Sequence, residues 1–294
     1  MKIINFPTDG GKPDKCRSTK EFLLCELKEN KILDLQTYRL SFLWQGTAPK
    51  AGQFFMIKPE RTVVFLARPF SVAAWHPTEE IVHFLIALRG KGTNDLANMY
   101  PGEYAELLGP LGNTWMNYLS PFLFPEQNPS CIYQKKPIAL IGGGICVAPL
   151  QALAGELQKN NFDFYAGFKT GFIDDEMRFE MLGSAIPEKT NYMEPGGNLI
   201  LATEDGSEGC KGRIPDFLDA KKYAAVCACG PAPMLAAVSG ICREANVPCF
   251  ISMERNMACG IGACMGCAVK TIHGNRRCCA DGPIFPSEDL CLDE

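Results

Sequence analysis

Five thiols near the C-terminus set the chemistry open to this chain. Cys259, Cys264 and Cys267 stand in a C-x4-C-x2-C run, and Cys278-Cys279 follows a short loop later. Three thiolates at this spacing with a fourth downstream hold a [2Fe–2S] cluster, which takes and gives one electron at a time. Gly260, Gly262 and Gly266 fall between the thiols. Without a Cβ the backbone can come close, so that amides point at the sulfurs. The competing ligand is structural zinc, whose thiols usually come as two separated C-x2-C pairs. Three glycine-interleaved thiols with no second C-x2-C favour iron–sulfur. The fourth ligand stays open between Cys278 and Cys279, because adjacent side chains of an extended chain point to opposite faces.

A one-electron centre needs something to feed it and something to drain it. The run Ile141-Gly142-Gly143-Gly144-Ile145-Cys146-Val147-Ala148-Pro149 joins a strand-like segment to a helical one. A glycine turn there suits a dinucleotide pyrophosphate, since free amides and the helix dipole face the anion. It departs from G-x-G-x-x-G, and a plain tight turn is the competing reading. Cys229-Gly230-Pro231 ends a later strand. Ligands of open α/β sheets bind along that edge, so the two loops could flank one nicotinamide. Upstream, Arg68-Pro69-Phe70-Ser71 offers a guanidinium for a pyrophosphate and a hydroxyl for a flavin ring edge. Taken alone, Arg68 reads as a surface charge. Arg89-Gly90-Lys91-Gly92-Thr93 is a further glycine loop suited to phosphate. His76, His83 and His273 fall in no hydrolase motif.

The elements that must position these groups divide the chain. Residues 1–19 form an N-terminal extension. Residues 20–112 carry short β-rich runs at Glu21–Leu27, Tyr38–Trp44, Gln53–Ile57, Phe65–Val72 and Val82–Leu88, the pattern of an antiparallel barrel or sandwich. A helix is expected to start near Thr93. Residues 113–136, with Pro121, Pro125 and Pro129, read as an irregular linker or loop. Residues 137–250 alternate strand and helix, the signature of a parallel α/β sheet. The strands are Ile138–Ile141, Phe162–Phe168, Leu199–Ala202 and Ala224–Cys229, and the helices Pro149–Asn160 and Pro233–Ala245. Residues 251–294 form a small cluster module.

At 294 residues, 47% hydrophobic and 21% charged, the composition is that of a globular protein of two or three units. A net charge of −4 gives no bias towards nucleic acid or an anionic membrane. The longest apolar stretch, Ile138–Leu153, is broken by glycines and a proline and is too short to span a bilayer. Fifteen cysteines after a polar N-terminus without a secretory signal point to a reducing cytoplasm, where most thiols serve as small buried hydrophobes.

Together, Arg68–Ser71, Gly90–Thr93, Gly109-Pro110-Leu111-Gly112, Gly142–Pro149 and Cys229–Pro231 resemble the ferredoxin–NADP reductase-like flavoproteins. Met253-Glu254-Arg255-Asn256-Met257-Ala258-Cys259 through Cys267, then Cys279-Ala280-Asp281-Gly282-Pro283, is similar to the electron-transfer subunits of dihydroorotate dehydrogenase B. The resemblance covers nearly the whole chain from about Glu21. It implies FAD on the β domain, contacted by Arg68, Pro69, Phe70, Ser71, Leu85, Ile86, Ala87, Gly92 and Thr93. It implies NAD on the α/β domain, at Gly142, Gly143, Gly144, Cys229, Gly230 and Pro231. It also implies a [2Fe–2S] cluster on Cys259, Cys264, Cys267 and Cys279, the last because the family sets its fourth ligand before x-Asp-Gly-Pro. Cys146 departs from the family, standing where a glycine is usual. That position could crowd the pyrophosphate.

Nicotinamide exchanges two electrons at once and a cluster one, so a flavin able to do both belongs between them. The implied route runs from the FMN of a separate catalytic subunit, in a heterotetramer of two plus two, through cluster and FAD to NAD+, in pyrimidine biosynthesis. This makes the chain an oxidoreductase subunit without a dihydroorotate site of its own. One alternative is a reductase subunit serving another acceptor, such as a ferredoxin, polysulfide or oxygenase. A second is a non-enzyme with a zinc-stapled tail and a degenerate nucleotide fold.

Overall fold

The computed structural model describes residues 20–124, 136–157, 162–183 and 198–292. The first unit holds β1 (Glu21–Ile32), β2 (Thr37–Leu43), β3 (Phe54–Pro59), β4 (Arg68–Ser71), β5 (Ala74–His76), β6 (Ile81–Ala87), α1 (Lys91–Ala97) and β7 (Tyr104–Leu111). Its strands form one antiparallel sheet, ordered β4-β3-β7-β1-β2-β6-β5. The long strand β1 pairs with β7 through its first half and with β2 through its second, and a register shift separates Leu27 from Glu29. Such a bulge bends and twists a strand. The sheet curls until β4 lies against β6 as an open half-barrel. Alternating residues of β1, β2, β3 and β6 fill it, with Leu27, Leu40, Phe42, Phe55 and Phe84 buried. Phe55 meets Trp44 and Phe84 edge to face, at centroid distances of 4.8 and 5.5 Å.

Two strands of this sheet were not expected. In β7 the Gly109-Pro110 pair masks a strand that otherwise alternates. The helix α1 starts at Lys91, earlier than Thr93, because Thr93 caps it from inside. Its hydroxyl accepts from the amides of Arg89 (2.8 Å) and Gly90 (3.2 Å).

The stretch after the barrel is not wholly irregular. Helix α2 (Met116–Leu123) lies there despite Pro121, with Trp115 and Leu119 buried in the main core. Pro121 loses one backbone bond, and the apolar face holds the turn in place. The remainder of the expected loop, residues 125–135, lies outside the described residues, as do the N-terminal extension and Asn160.

The second unit holds β8 (Ile138–Gly143), α3 (Ala148–Glu156), β9 (Phe162–Phe168), α4 (Asp175–Leu182), β10 (Leu199–Thr203), β11 (Cys210–Lys211), β12 (Ala225–Cys229), α5 (Ala232–Ala245) and β13 (Cys249–Ser252). The tail adds a hairpin of β14 (Ala268–Thr271) and β15 (Gly274–Arg277), then a single turn α6 (Cys278–Asp281) and β16 (Ile284–Pro286). The large sheet is ordered β11-β10-β9-β8-β12-β13-β16 and is parallel up to β13, where β16 joins antiparallel. The boundary set at 250 therefore falls inside a strand, and the tail completes the sheet. Asn113 fastens this junction: its Nδ2 donates to Ile284 O (2.8 Å), and its Oδ1 accepts from Ile284 N (3.0 Å). Among the described residues no helix is long and apolar enough to cross a membrane.

Barrel and sheet are clasped at one edge. Glu180 on α4 accepts from Lys31 Nζ (2.7 Å) and Arg39 Nη1 (2.8 Å). With the docked tail, this clasp fixes the cleft between the two units.

Candidate functional site

A cleft of about 1410 Å³ runs between barrel and sheet. On its barrel wall stand Arg68, Pro69, Phe70, Ser71, Leu85, Ala87, Gly92 and Thr93, and on its sheet wall Gly143, Gly144, Gly230 and Pro231. Ile86 does not line the cleft. Side chains of a strand alternate, so Ile86 turns into the barrel core while its neighbours Leu85 and Ala87 face the cleft. Gly142 and Cys229 are likewise not on the wall: they pair within the sheet and are buried. A Cβ on Gly142 would meet Val147 Cγ1 at 2.7 Å. Both positions shape the loops from behind.

The barrel wall is built for an anion. A Cβ on Gly92 would lie 2.9 Å from Arg68 Nε. The missing side chain thus lets the guanidinium lie on the first turn of α1. Arg68 Nη1 is braced by Leu66 O at 2.7 Å. The first amides of a helix have no intrahelical partner, and Arg89 and Lys91 add charge on the same wall. Beside this cradle, Ser71, Leu85 and Ala87 provide a mostly apolar wall with one hydroxyl, suited to a flat heteroaromatic ring. FAD fits this chemistry.

The sheet wall brings its two loops into contact. A Cβ on Gly143 would meet Met234 Sδ at 2.7 Å and Pro231 Cδ at 2.9 Å. Gly144 has φ +58 with open space beyond it, so the turn into α3 is tight and its outer face is bare. Lys169, Arg213 and Arg255 line the same side. A dinucleotide has a bare loop and positive charge to lie against.

The cysteine loop folds against the barrel from the other side. A Cβ on Gly260 would meet Met56 Cγ at 2.5 Å, and Gly260 has φ +66. Met56 is paired with Pro69 of the Arg68–Ser71 segment. The loop is fixed at its base by Arg277, which bonds Gly262 O (2.9 Å) and forms an ion pair with Asp281 (3.1 Å).

The four sulfurs come in two pairs. Cys264 lies close enough to Cys259, and Cys267 to Cys279, for the one thiol to shift the other. No three of the four lie within 4.8 Å of one another. Two sulfur pairs suit a two-iron core, whereas one zinc ion would gather all four. Burial raises the Cys259 thiol, but amides of Cys264, Ile261 and Ala263 and the Cys264 thiol outweigh it and bring it down to about 6. Burial, then the Cys267 sulfur, holds Cys279 up at about 12. Bound iron would ionise it outright.

The adjacent pair is told apart by direction. Cys279 N donates to Cys267 Sγ at 3.4 Å, on the loop side. Cys278 Sγ instead donates to Met253 O at 3.0 Å, facing the sheet.

The end of β13 and the segment after it also enter the cleft, through Ser252 and then Met253, Glu254 and Arg255. Reading the residues left these out of the site, because the boundary at 250 hid a parallel strand. The rule that ligands gather beyond strand C-termini would have found them. Glu254 Oε1 accepts from Cys146 Sγ at 3.3 Å. Contact with Cys146, then burial, pushes the Cys229 thiol well up.

Residues 254–291 match the iron–sulfur cluster binding domain of dihydroorotate dehydrogenase B. The chain is 34% identical to the dihydroorotate dehydrogenase B (NAD(+)) electron transfer subunit of Clostridium acetobutylicum, across 94% of this chain and 99% of that one. It is 38% identical to the subunit of the same name from Clostridium perfringens, across 90% and 96%. Among solved structures, an NADH-dependent reduced ferredoxin–NADP oxidoreductase superposes with a TM-score of 0.72 at 24% identity, covering 92% of this chain and 91% of that one. With the half-barrel, the nucleotide-type sheet and the paired thiols in place, the chain belongs to the family of dihydroorotate dehydrogenase B electron transfer subunits.

Proposed function

We propose that this chain carries electrons from the FMN of a dihydroorotate-oxidising partner subunit to NAD+, through a [2Fe–2S] cluster and FAD, in cytoplasmic pyrimidine biosynthesis. The observation that carries this reading is contiguity. The cysteine loop touches Met56. Met56 pairs with the segment on the barrel wall. That wall faces the nucleotide loops across one cleft. Adjacent strands lie about 5 Å apart, so the cysteine loop and the Arg68–Ser71 segment are separated by little more than one strand.

When bound, FAD exchanges single electrons with a cluster and pairs with a nicotinamide. The residues of the chain do the rest. Cys259, Cys264, Cys267 and Cys279 would hold the cluster, with loop amides such as those of Gly266 and Cys279 donating to the sulfurs. Arg68 and the first turn of α1 neutralise the FAD pyrophosphate, while Ser71 offers a hydroxyl to the ring edge. Gly143, Gly144, Gly230 and Pro231 seat NAD against the opposite wall. Met56 and Leu111 keep the strip between cluster loop and barrel dry. Cys264 is exposed, and Ile261 and Met265 beside it are 48% exposed, a half-apolar face for the partner subunit. Two copies of each subunit complete the assembly.

The test is purification from the native host under anaerobic conditions, with visible spectra before and after NADH. Flavin bleaching with partial cluster reduction, and a co-purifying FMN subunit that oxidises dihydroorotate, are expected. A partner with neither FMN nor that activity refutes the reading.

A further inference from the structure

Outside the cysteine loop one other cluster of ligand-type side chains stands out. Cys146 Sγ, Cys229 Sγ and a Glu254 carboxylate oxygen all lie within 4.8 Å of one another, and no other such triple occurs among the described residues. They come from three separate segments: the glycine turn after β8, the end of β12 and the chain after β13. We propose that Cys146, Cys229 and Glu254 form a three-ligand site for a zinc-class divalent cation at the nucleotide loop, and that its occupation competes with the dinucleotide.

The spacing is compatible with a tetrahedral ion. Zinc holds sulfur at about 2.3 Å and carboxylate oxygen at about 2.0 Å, which sets S and O about 3.5 Å apart and two sulfurs about 3.8 Å apart. Cys146 Sγ and Glu254 Oε1 are 3.3 Å apart. The Cys146 and Cys229 sulfurs lie within 4.8 Å of each other. Both cysteines are buried, and Ser252 stands beside Cys229 in register on the neighbouring strand, placed to act as an outer support. Two thiolates, one carboxylate and an open fourth position select a borderline-soft ion over magnesium or calcium. A disulfide would use the two sulfurs and leave the carboxylate without a role.

Binding exchanges protons for metal: Zn²⁺ enters, both thiol protons leave to solvent, and no electron moves. Cys146 and Glu254 line the cleft, so the ion can arrive from it. Once seated, the ion and its solvent ligand draw Glu254 onto the glycine turn and fill the space in front of it. Competition with NADH rests on the nucleotide reading of the cleft; the metal site itself does not.

The test uses anaerobic holoprotein with its FAD and iron intact, titrated with Zn²⁺ against a chromophoric chelator. One zinc per chain is expected, with two sulfurs and lighter ligands by zinc-edge X-ray absorption and unchanged iron content. Cys146→Gly should abolish it, Glu254→Gln should weaken it at least tenfold, and Cys210→Ser, at an exposed thiol, should leave it unchanged. NADH should weaken apparent zinc affinity at least tenfold. The proposal is overturned by no zinc uptake, by equal uptake in Cys146→Gly, by a four-sulfur site, or by an affinity indifferent to NADH. Flavin bleaching by NADH without zinc reports on the nucleotide reading separately.

Discussion

Replacing Gly260 with alanine should detach the cluster from the flavin wall while leaving each intact. The backbone there has φ +66, where a Cβ costs about 1–2 kcal/mol. The new carbon would lie 2.5 Å from Met56 Cγ and 3.2 Å from Leu111 Cδ1. Carbon contacts settle at about 3.5–4.0 Å, so one side must retreat by about 1 Å. Met56 is 2% exposed and Leu111 0%, which leaves the loop to move. Overpacking of this kind costs about 1–3 kcal/mol, and the combined loss is about 2–5 kcal/mol. Gly274→Ala is the control. It has φ +89 with nothing within 4 Å, so it carries the backbone cost alone. At about 2–4 °C per kcal/mol, the melting temperature of Gly260→Ala should fall below that of Gly274→Ala by at least about 2 °C. In anaerobic stopped-flow, Gly260→Ala should bleach flavin with NADH at the parent rate yet reduce its cluster more slowly. Equal melting temperatures, with cluster reduction at the parent rate, would refute the contact as the electron route.

Cys279→Ser should lose the cluster by iron content and visible spectrum, while Cys278→Ser keeps it, since a serine hydroxyl can still donate to Met253 O; the opposite pattern reverses the ligand assignment. Arg68→Ala should weaken FAD retention roughly tenfold to a hundredfold, the worth of a charge-assisted hydrogen bond of about 1.5–3 kcal/mol, as read by flavin fluorescence on dilution. Acid should loosen the barrel through His83. Burial, then the charges of Arg39 and His76, lowers its pKa to about 4, and Ser41 Oγ bonds its Nδ1 at 2.8 Å. Between about pH 6.5 and 4 the unfolded chain binds the extra proton, so stability falls as pH falls through this window, by up to about 3 kcal/mol. His83→Gln should flatten that part of the profile in urea melts, and an unchanged profile would clear His83 of the effect.

Much of this molecule was legible because its signals are local. The thiol spacing, the glycine turn before α3 and the period of β9 and α5 each lie within a few residues, and the structure places these elements where the pattern puts them. The misses are non-local. The proline-bearing α2 is held by Trp115 and Leu119, whose burial depends on a sheet assembled later in the chain. The pairing of β16 with β13 spans a long loop and leaves no periodic trace in three residues. The choice between Cys278 and Cys279 turns on a carbonyl of residue 253, invisible to spacing and reached by family resemblance instead. Glu254 was hidden by a boundary drawn through β13, and with it the contact to Cys146.

The antiparallel strand β16 also has a meaning for how the protein is made. A ribosome delivers the half-barrel first, with a core of its own, and the parallel sheet next. Until residues 284–286 emerge, β13 presents an uncovered edge, the kind of surface on which nascent chains pair wrongly with one another. The tail that seals that edge also carries the cysteine loop that lies on Met56. A chain whose tail fails to dock thus carries its fault as an open strand edge.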